Sequence, residues 1–213
     1  MSLIRKIHAR VSESRPDTIQ GFYINLNRRT DRRKDFEKEC QQIGIVVEHF
    51  AAVEHRLGGY GCLQSHIQVL KLARERRYPT VMIFEDDFQF LVSRNEFKSI
   101  LASMPAEFDV MMLSYNLLKS QPYNERFGKC LEVQTTSGYV VHQRFYDALL
   151  ANLEEALELF TKDLTHTGYQ KYAIDQYWKR LQPTSKWFYS LRRVGRQQAG
   201  YSDVENMVVD YKV

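Results

Sequence analysis

Three adjacent carboxylates, Glu85, Asp86 and Asp87, follow directly on the apolar run Val81-Met82-Ile83-Phe84. That run has the length and the β-branched and aromatic content of a strand buried on both faces, as in a parallel sheet. The carboxylates then fall at the strand's carboxyl end, where open α/β sheets hold their ligands. Neighbouring negative charges repel one another unless solvent or a cation neutralises them. Oxygen ligands of this kind suit Mg²⁺ or Mn²⁺ bound together with a phosphate-bearing substrate. The competing reading is a solvated acidic turn.

Further groups point to the same chemistry. Asn25-Leu26-Asn27-Arg28-Arg29-Thr30-Asp31-Arg32-Arg33 places four arginines just beyond the first apolar run, and guanidinium forks match phosphate oxygens. Arg28 and Arg29, nearest the strand end, are the candidates; Arg32 and Arg33 are expected to face solvent. His66 shares a helical stripe with Leu63, Ile67, Leu70 and Ala73, which reads either as a satisfied core histidine or as a group reaching the acidic strand end. Gly138 interrupts a good strand, as at a β-bulge or a close backbone approach to ligand. Asp175 stands among Tyr172, Ile174, Tyr177 and Trp178, where partial burial would raise its pKa toward that of a general base. The alternative is compensation of a helix dipole. Arg196 to Asp203 combines donors with Gly200, as a lid over an anionic ligand would.

The elements that must position these groups alternate. Strands are expected over 21–26, 45–50, 80–85, 109–113, 131–135, 138–142 and 187–191. Helices are expected over 31–42, ending at Gly44, and over 62–76, 144–160 and 172–181. The stretches 120–129 and 192–206 read as loops. The early β-α-β order implies parallel neighbours. With 213 residues, 44% of them hydrophobic, the chain is long enough for one full core. A leader over residues 1–20 and one domain over 21–213 are expected. A net charge of +4, without basic–aromatic interleaving, argues against a nucleic-acid partner. Cys40, Cys62 and Cys130 share no C-x-x-C spacing and read as free thiols. No signal peptide or membrane span is read, so a cytoplasmic protein is expected, with peripheral membrane contact left open.

Taken in order, Tyr23-Ile24-Asn25-Leu26-Asn27-Arg28-Arg29, Gly61-Cys62-Leu63-Gln64-Ser65-His66, Ile83-Phe84-Glu85-Asp86-Asp87 and Ser137-Gly138-Tyr139-Val140 resemble glycosyltransferase family 25, the lipooligosaccharide-biosynthesis and procollagen-galactosyltransferase type. Ile174-Asp175 and Gln198-Ala199-Gly200-Tyr201-Ser202-Asp203 are looser matches. The chain is more compact than many members between Ala51 and Gly58. The resemblance implies a glycosyltransferase-A-like α/β fold, with a mixed sheet and helices on both faces. It also implies a UDP-sugar donor, Mn²⁺ or Mg²⁺, inversion at the anomeric carbon and a glycan, glycoprotein or glycolipid acceptor. On that basis Asp87 and Glu85 are expected to hold metal. Asn25, Leu26, Arg28, Arg29, His66, Glu85, Asp86, Gly138, Gln198 and Ser202 are expected to line the donor site. Asp175 is the expected base, with Asp203 in reserve. The rival readings are a metal-dependent phosphoryl or nucleotidyl transferase and a non-catalytic sugar-nucleotide-binding module.

Overall fold

Apolar runs bounded by turn residues become the strands of one eight-stranded sheet, seen in a computed structural model that describes residues 20–202 and 207–209. All but the last residue of the expected leader lies outside that description, as does Asp203. Strand β1 (Gln20–Asn25) leads into helix α1 (Thr30–Ile43). Gly44 stops that helix with φ 73°, and its N–H is donated back to the Cys40 carbonyl, a left-handed cap that glycine adopts without Cβ strain. Strand β2 (Glu48–Ala51) pairs parallel to β1. It starts three residues later than its apolar run predicts, because Ile45 and Val47 pack beside the helix end instead.

Helix α2 (Gly58–Glu75) precedes β3 (Thr80–Glu85), which is parallel to β1. After β3 come β4 (Phe88–Phe90) and α3 (Arg94–Ala102), the latter closed by a capping box between Ser93 and Glu96. β5 (Val110–Met112) follows, then β6 (Asn116–Pro122) and β7 (Phe127–Gln134). These last two form an antiparallel hairpin where a loop over 120–129 is expected. The mostly exposed, polar residues of β6 carry too little alternation to reveal an edge strand.

β8 (Gly138–His142) lies antiparallel between β3 and β5. The chain continues through α4 (Tyr146–Lys162), α5 (His166–Tyr172) and α6 (Ile174–Tyr177). The helix expected over 172–181 is broken at Ala173, whose ψ of 143° is extended. Strand β9 (Trp187–Ser190) completes the sheet, in the order β2-β1-β3-β8-β5-β9-β7-β6. β10 (Gly195–Gln197) pairs with β4, and β11 (Gly200–Ser202) with β12 (Met207–Val209). The region expected to be irregular therefore contains short strands.

Period-2 alternation divides the core into two layers. Phe22, Ile24, Val81, Ile83, Tyr139 and Val141 face α2 and α4, among Leu63, Leu70, Leu153 and Trp178. Tyr23, Met82, Phe84, Met111 and Val140 face α1 and α3, among Phe36, Phe97 and Ile100. Helices cover both faces of a mixed sheet, the glycosyltransferase-A-like architecture expected from the sequence. Among the described residues, no helix is long and apolar enough to cross a membrane.

Candidate active site

The strand period that builds the core also aims the acidic run. Glu85 pairs with Ile24 across β1 and β3, so its side chain takes the α2 face. There its Oε1 accepts from Thr136 Oγ1 at 2.5 Å and lies 3.1 Å from His66 Nε2 and 3.7 Å from the Cys62 thiol. His66 is fully buried, and its Nδ1 is 2.8 Å from the Tyr139 hydroxyl. Burial pushes the Glu85 carboxyl up, but His66, Thr136 and Cys62 outweigh it and hold the group below its ordinary value. Burial, with the charge of Glu85 next, drives the Cys62 thiol well above its ordinary value.

Beyond the strand end the chain turns. Asp86 accepts from Asn25 Nδ2 at 2.7 Å and from Arg32 at 2.9 Å. Asp87 accepts from Gln197 Nε2 at 3.1 Å and from Arg32 at 3.5 Å through Oδ2. Its Oδ1 is buried and has no hydrogen-bond partner among the described residues. Burial first, then the charges of Glu85 and Asp86, push the Asp87 carboxyl up to about 7. A buried oxygen whose lone pairs no donor engages, on a carboxyl group whose ionisation burial and like charges oppose, suits a divalent cation that would stabilise the ionised form. Asp87 is thus the residue best fitted to hold one.

Most of these groups border a cavity of about 810 Å³ at the carboxyl ends of β1 and β3, although Tyr139 and Asn25, the latter expected at the donor site, are not among the residues that line it. Its lining includes Leu26, Arg28, Arg32, Glu85, Asp86, Asp87 and Asp175. Asp175 does not cap its short helix. The break at Ala173 turns it toward the loop after β7, where its Oδ2 accepts from the Thr135 N–H at 3.2 Å. Thr135 holds a φ of 78°, costing roughly 1–3 kcal/mol for a residue with a Cβ. Its hydroxyl bonds Gln197. Burial is the main cause of the raised Asp175 pKa, and Glu85 adds to it.

Several expected positions prove different. Arg32, expected in solvent, is the arginine that grips the acidic run, because α1 begins at Thr30 and turns Arg32 back over β3. Arg29 instead pairs with Asp31 and is not among the lining residues. Arg28 lines the cavity and pairs with Glu54. Gly138 lies one residue from Tyr139 and so on the opposite face, where a Cβ would come within 2.4 Å of the Phe88 ring; it makes room for packing, not for ligand. Gln197 takes the place expected of Gln198, whose backbone N–H donates to the Asp87 carbonyl while its side chain is exposed. Trp178 is fully buried, with its Nε1 donated to the Val133 carbonyl, and Tyr177 stacks beneath Arg180. Neither lines the cavity, although Tyr169 does. Ser202 falls within β11. Arg32 and Gln197 left only weak signals in the sequence, a position one helical turn after Arg28 and a place beside the glycine-containing tail.

No family model matches the chain. A solved structure described as a glycosyltransferase involved in the glycosylation of the major capsid of PBCV-1 superposes with a TM-score of 0.51 at 12% identity, over 81% of each chain. At that identity the likeness concerns the fold alone. Proteins named "Glycosyltransferase 25 family member" from Drosophila melanogaster and Drosophila pseudoobscura pseudoobscura are each 31% identical over 32% of this chain. The matched segment spans 16% of those relatives' length. Over that third, the chain is similar to members of the glycosyltransferase 25 family, the family its ordered motifs resemble.

Proposed function

We propose that the chain is a metal-dependent inverting glycosyltransferase that moves a hexose from a UDP-sugar to a hydroxyl acceptor. The observation that carries this reading is the buried, unpartnered Asp87 oxygen beside a cavity that Asp175 also lines. Asp87 would hold Mn²⁺ or Mg²⁺, which when bound neutralises the charge developing on a departing diphosphate. Arg32 keeps Asp86 and Asp87 fixed, so the ligand oxygen is positioned before substrate arrives. Arg28, at the cavity rim, offers its guanidinium to the diphosphate. Asp175 removes the acceptor hydroxyl proton in the same displacement, and its raised pKa makes it a stronger base than an exposed carboxylate. The Thr135 N–H orients the base, and Tyr169 supplies an aromatic face for a sugar ring.

The test is incubation with Mn²⁺, a panel of nucleotide sugars and simple glycan acceptors, following UDP release and the anomer formed. Donor-dependent UDP release with inversion supports the reading. Hydrolysis or synthesis of nucleotides without glycosyl transfer would replace it with a nucleotidyl transferase.

A further inference from the structure

The other side of the acidic run holds a different set of donors. Cys62 and His66 stand one helical turn apart on α2 and meet Glu85 on the α2 face at the end of β3; one ligand atom from each lies within 4.8 Å of the others. All three residues line the cavity. Residues four apart on a helix present their side chains to one point, as in helical metal motifs. A tetrahedral zinc ion with ordinary bond lengths separates a thiolate sulfur from a carboxylate oxygen by about 3.5 Å, and an imidazole nitrogen from that oxygen by about 3.3 Å. The corresponding distances are 3.7 Å from Cys62 to Glu85 and 3.1 Å from His66 to Glu85. Two of the three edges are therefore already close to those of a metal site. On the third edge, the candidate ligand atoms of Cys62 and His66 lie within 4.8 Å of one another.

The surroundings complete the arrangement. A ligating imidazole requires its second nitrogen to be held, which fixes the tautomer. Tyr139 does this for His66, with its hydroxyl 2.8 Å from Nδ1 and the rings 5.7 Å apart. Thr136 anchors the carboxylate through its hydroxyl. Three protein ligands with the fourth direction toward a cavity is the pattern of an open zinc site. The thiolate distinguishes this niche from Asp87, whose oxygen suits harder ions.

We infer that Cys62, His66 and Glu85 form a second metal site, selective for a borderline-soft divalent ion of the zinc class. Coordination breaks the Cys62 S–H bond, forms a metal–sulfur bond and releases the proton to solvent. It also replaces the His66–Glu85 contact: Nε2 gives up its proton and binds the metal through the freed lone pair, and the bound imidazole carries its one proton on Nδ1, facing the Tyr139 hydroxyl. The inference does not depend on transferase activity.

The reduced full-length protein is titrated with Co²⁺, a spectroscopic substitute for Zn²⁺, and Zn²⁺ is then used to displace it. Binding of one Co²⁺ with an intense thiolate-to-cobalt charge-transfer band, erased by Zn²⁺, is expected. Cys62→Ala and Cys62→Ser, of which the second keeps a side chain of similar size, should both abolish that band. Tyr139→Phe should weaken the affinity about 10–100-fold, as removal of an outer partner does. Asp87→Asn should leave the band unchanged while abolishing Mn²⁺-dependent UDP binding, so the two sites fail independently. Co²⁺ bound without the band, a band that persists in both Cys62 variants, a band lost in Asp87→Asn, or no binding at millimolar Co²⁺ would each overturn the site.

Discussion

Asp87 and Asp175 are both carboxyl groups forced to hold protons above their ordinary range, but their surroundings suit them to different proposed roles. Asp87 is crowded by Glu85 and Asp86, with burial the largest cause, and reaches about 7. The folded protein therefore binds that proton more tightly than the unfolded chain does. Its contribution to stability is most favourable below about pH 4 and declines as pH rises through about 7. Asp87→Asn removes this penalty. Without metal, the variant's Tm should exceed the wild type's by more at pH 8 than at pH 5, and Mn²⁺-dependent UDP binding should disappear. An equal Tm difference at both pH values would show that Asp87 ionises freely. Asp175 accepts directly from the Thr135 N–H, so Asp175→Asn keeps the shape and removes the proposed base. Turnover should fall by about 10²–10⁴-fold while UDP binding, measured by calorimetry, is unchanged. Both aspartates were legible in the sequence because an acidic run after an apolar strand, and a lone acid among aromatics, are local patterns. Arg32 and Gln197 were not. Which side of α1 faces the strand end, and which face of β10 meets Asp87, are settled only by packing.

At the scale of elements, the buried strands were the easiest to read, since β1, β3, β5, β8 and β9 are short apolar runs with clear boundaries. The β6–β7 hairpin was hidden by its polar, exposed first strand, and α3 by its brevity despite its capping box. The break at Ala173 was hidden as well: 172–181 is rich in residues that helices tolerate, and only the need to bury Ile174 and turn Asp175 toward Thr135 interrupts it. The start of α2 illustrates how tightly the site's elements are joined. A Cβ on Gly61 would lie 2.4 Å from the Val53 carbonyl oxygen, and Ser65 ties the two segments by accepting from the Val53 N–H and donating to the Gly61 carbonyl. Replacing a helical glycine by alanine ordinarily gains about 0.5–1 kcal/mol, whereas overpacking against backbone costs about 1–3 kcal/mol. The collision should win. Gly61→Ala is expected to lower Tm, at about 2–4 °C for each kcal/mol in a chain of this size, and to weaken donor binding by displacing the loop that bears Val53 and His55. A Tm equal to or above that of the wild type would mean the loop yields freely.

Over the whole molecule the charge is +4, yet the cavity has the opposite balance. Its lining carries five carboxylates, Glu54, Glu85, Asp86, Asp87 and Asp175, against the guanidinium groups of Arg28, Arg32 and Arg56. Arg28 is already paired with Glu54, and Arg32 with Asp86 and Asp87. The overall positive charge draws an anion toward the protein, while the cavity, with low-dielectric walls that focus its local field, repels a diphosphate at close range. A divalent cation on Asp87 would cancel that excess of negative charge, and the opposition between surface and cavity would make the proposed ion a condition of binding. UDP affinity in excess EDTA should therefore fall by at least about 10²-fold relative to saturating Mn²⁺, equivalent to roughly 2.7 kcal/mol. Added salt should weaken the metal-free binding little, because no net attraction is left to screen. Calorimetry with and without EDTA, at two ionic strengths, measures both effects. Tight UDP binding without metal, weakening steeply with salt, would mean that arginines rather than a cation on Asp87 hold the diphosphate.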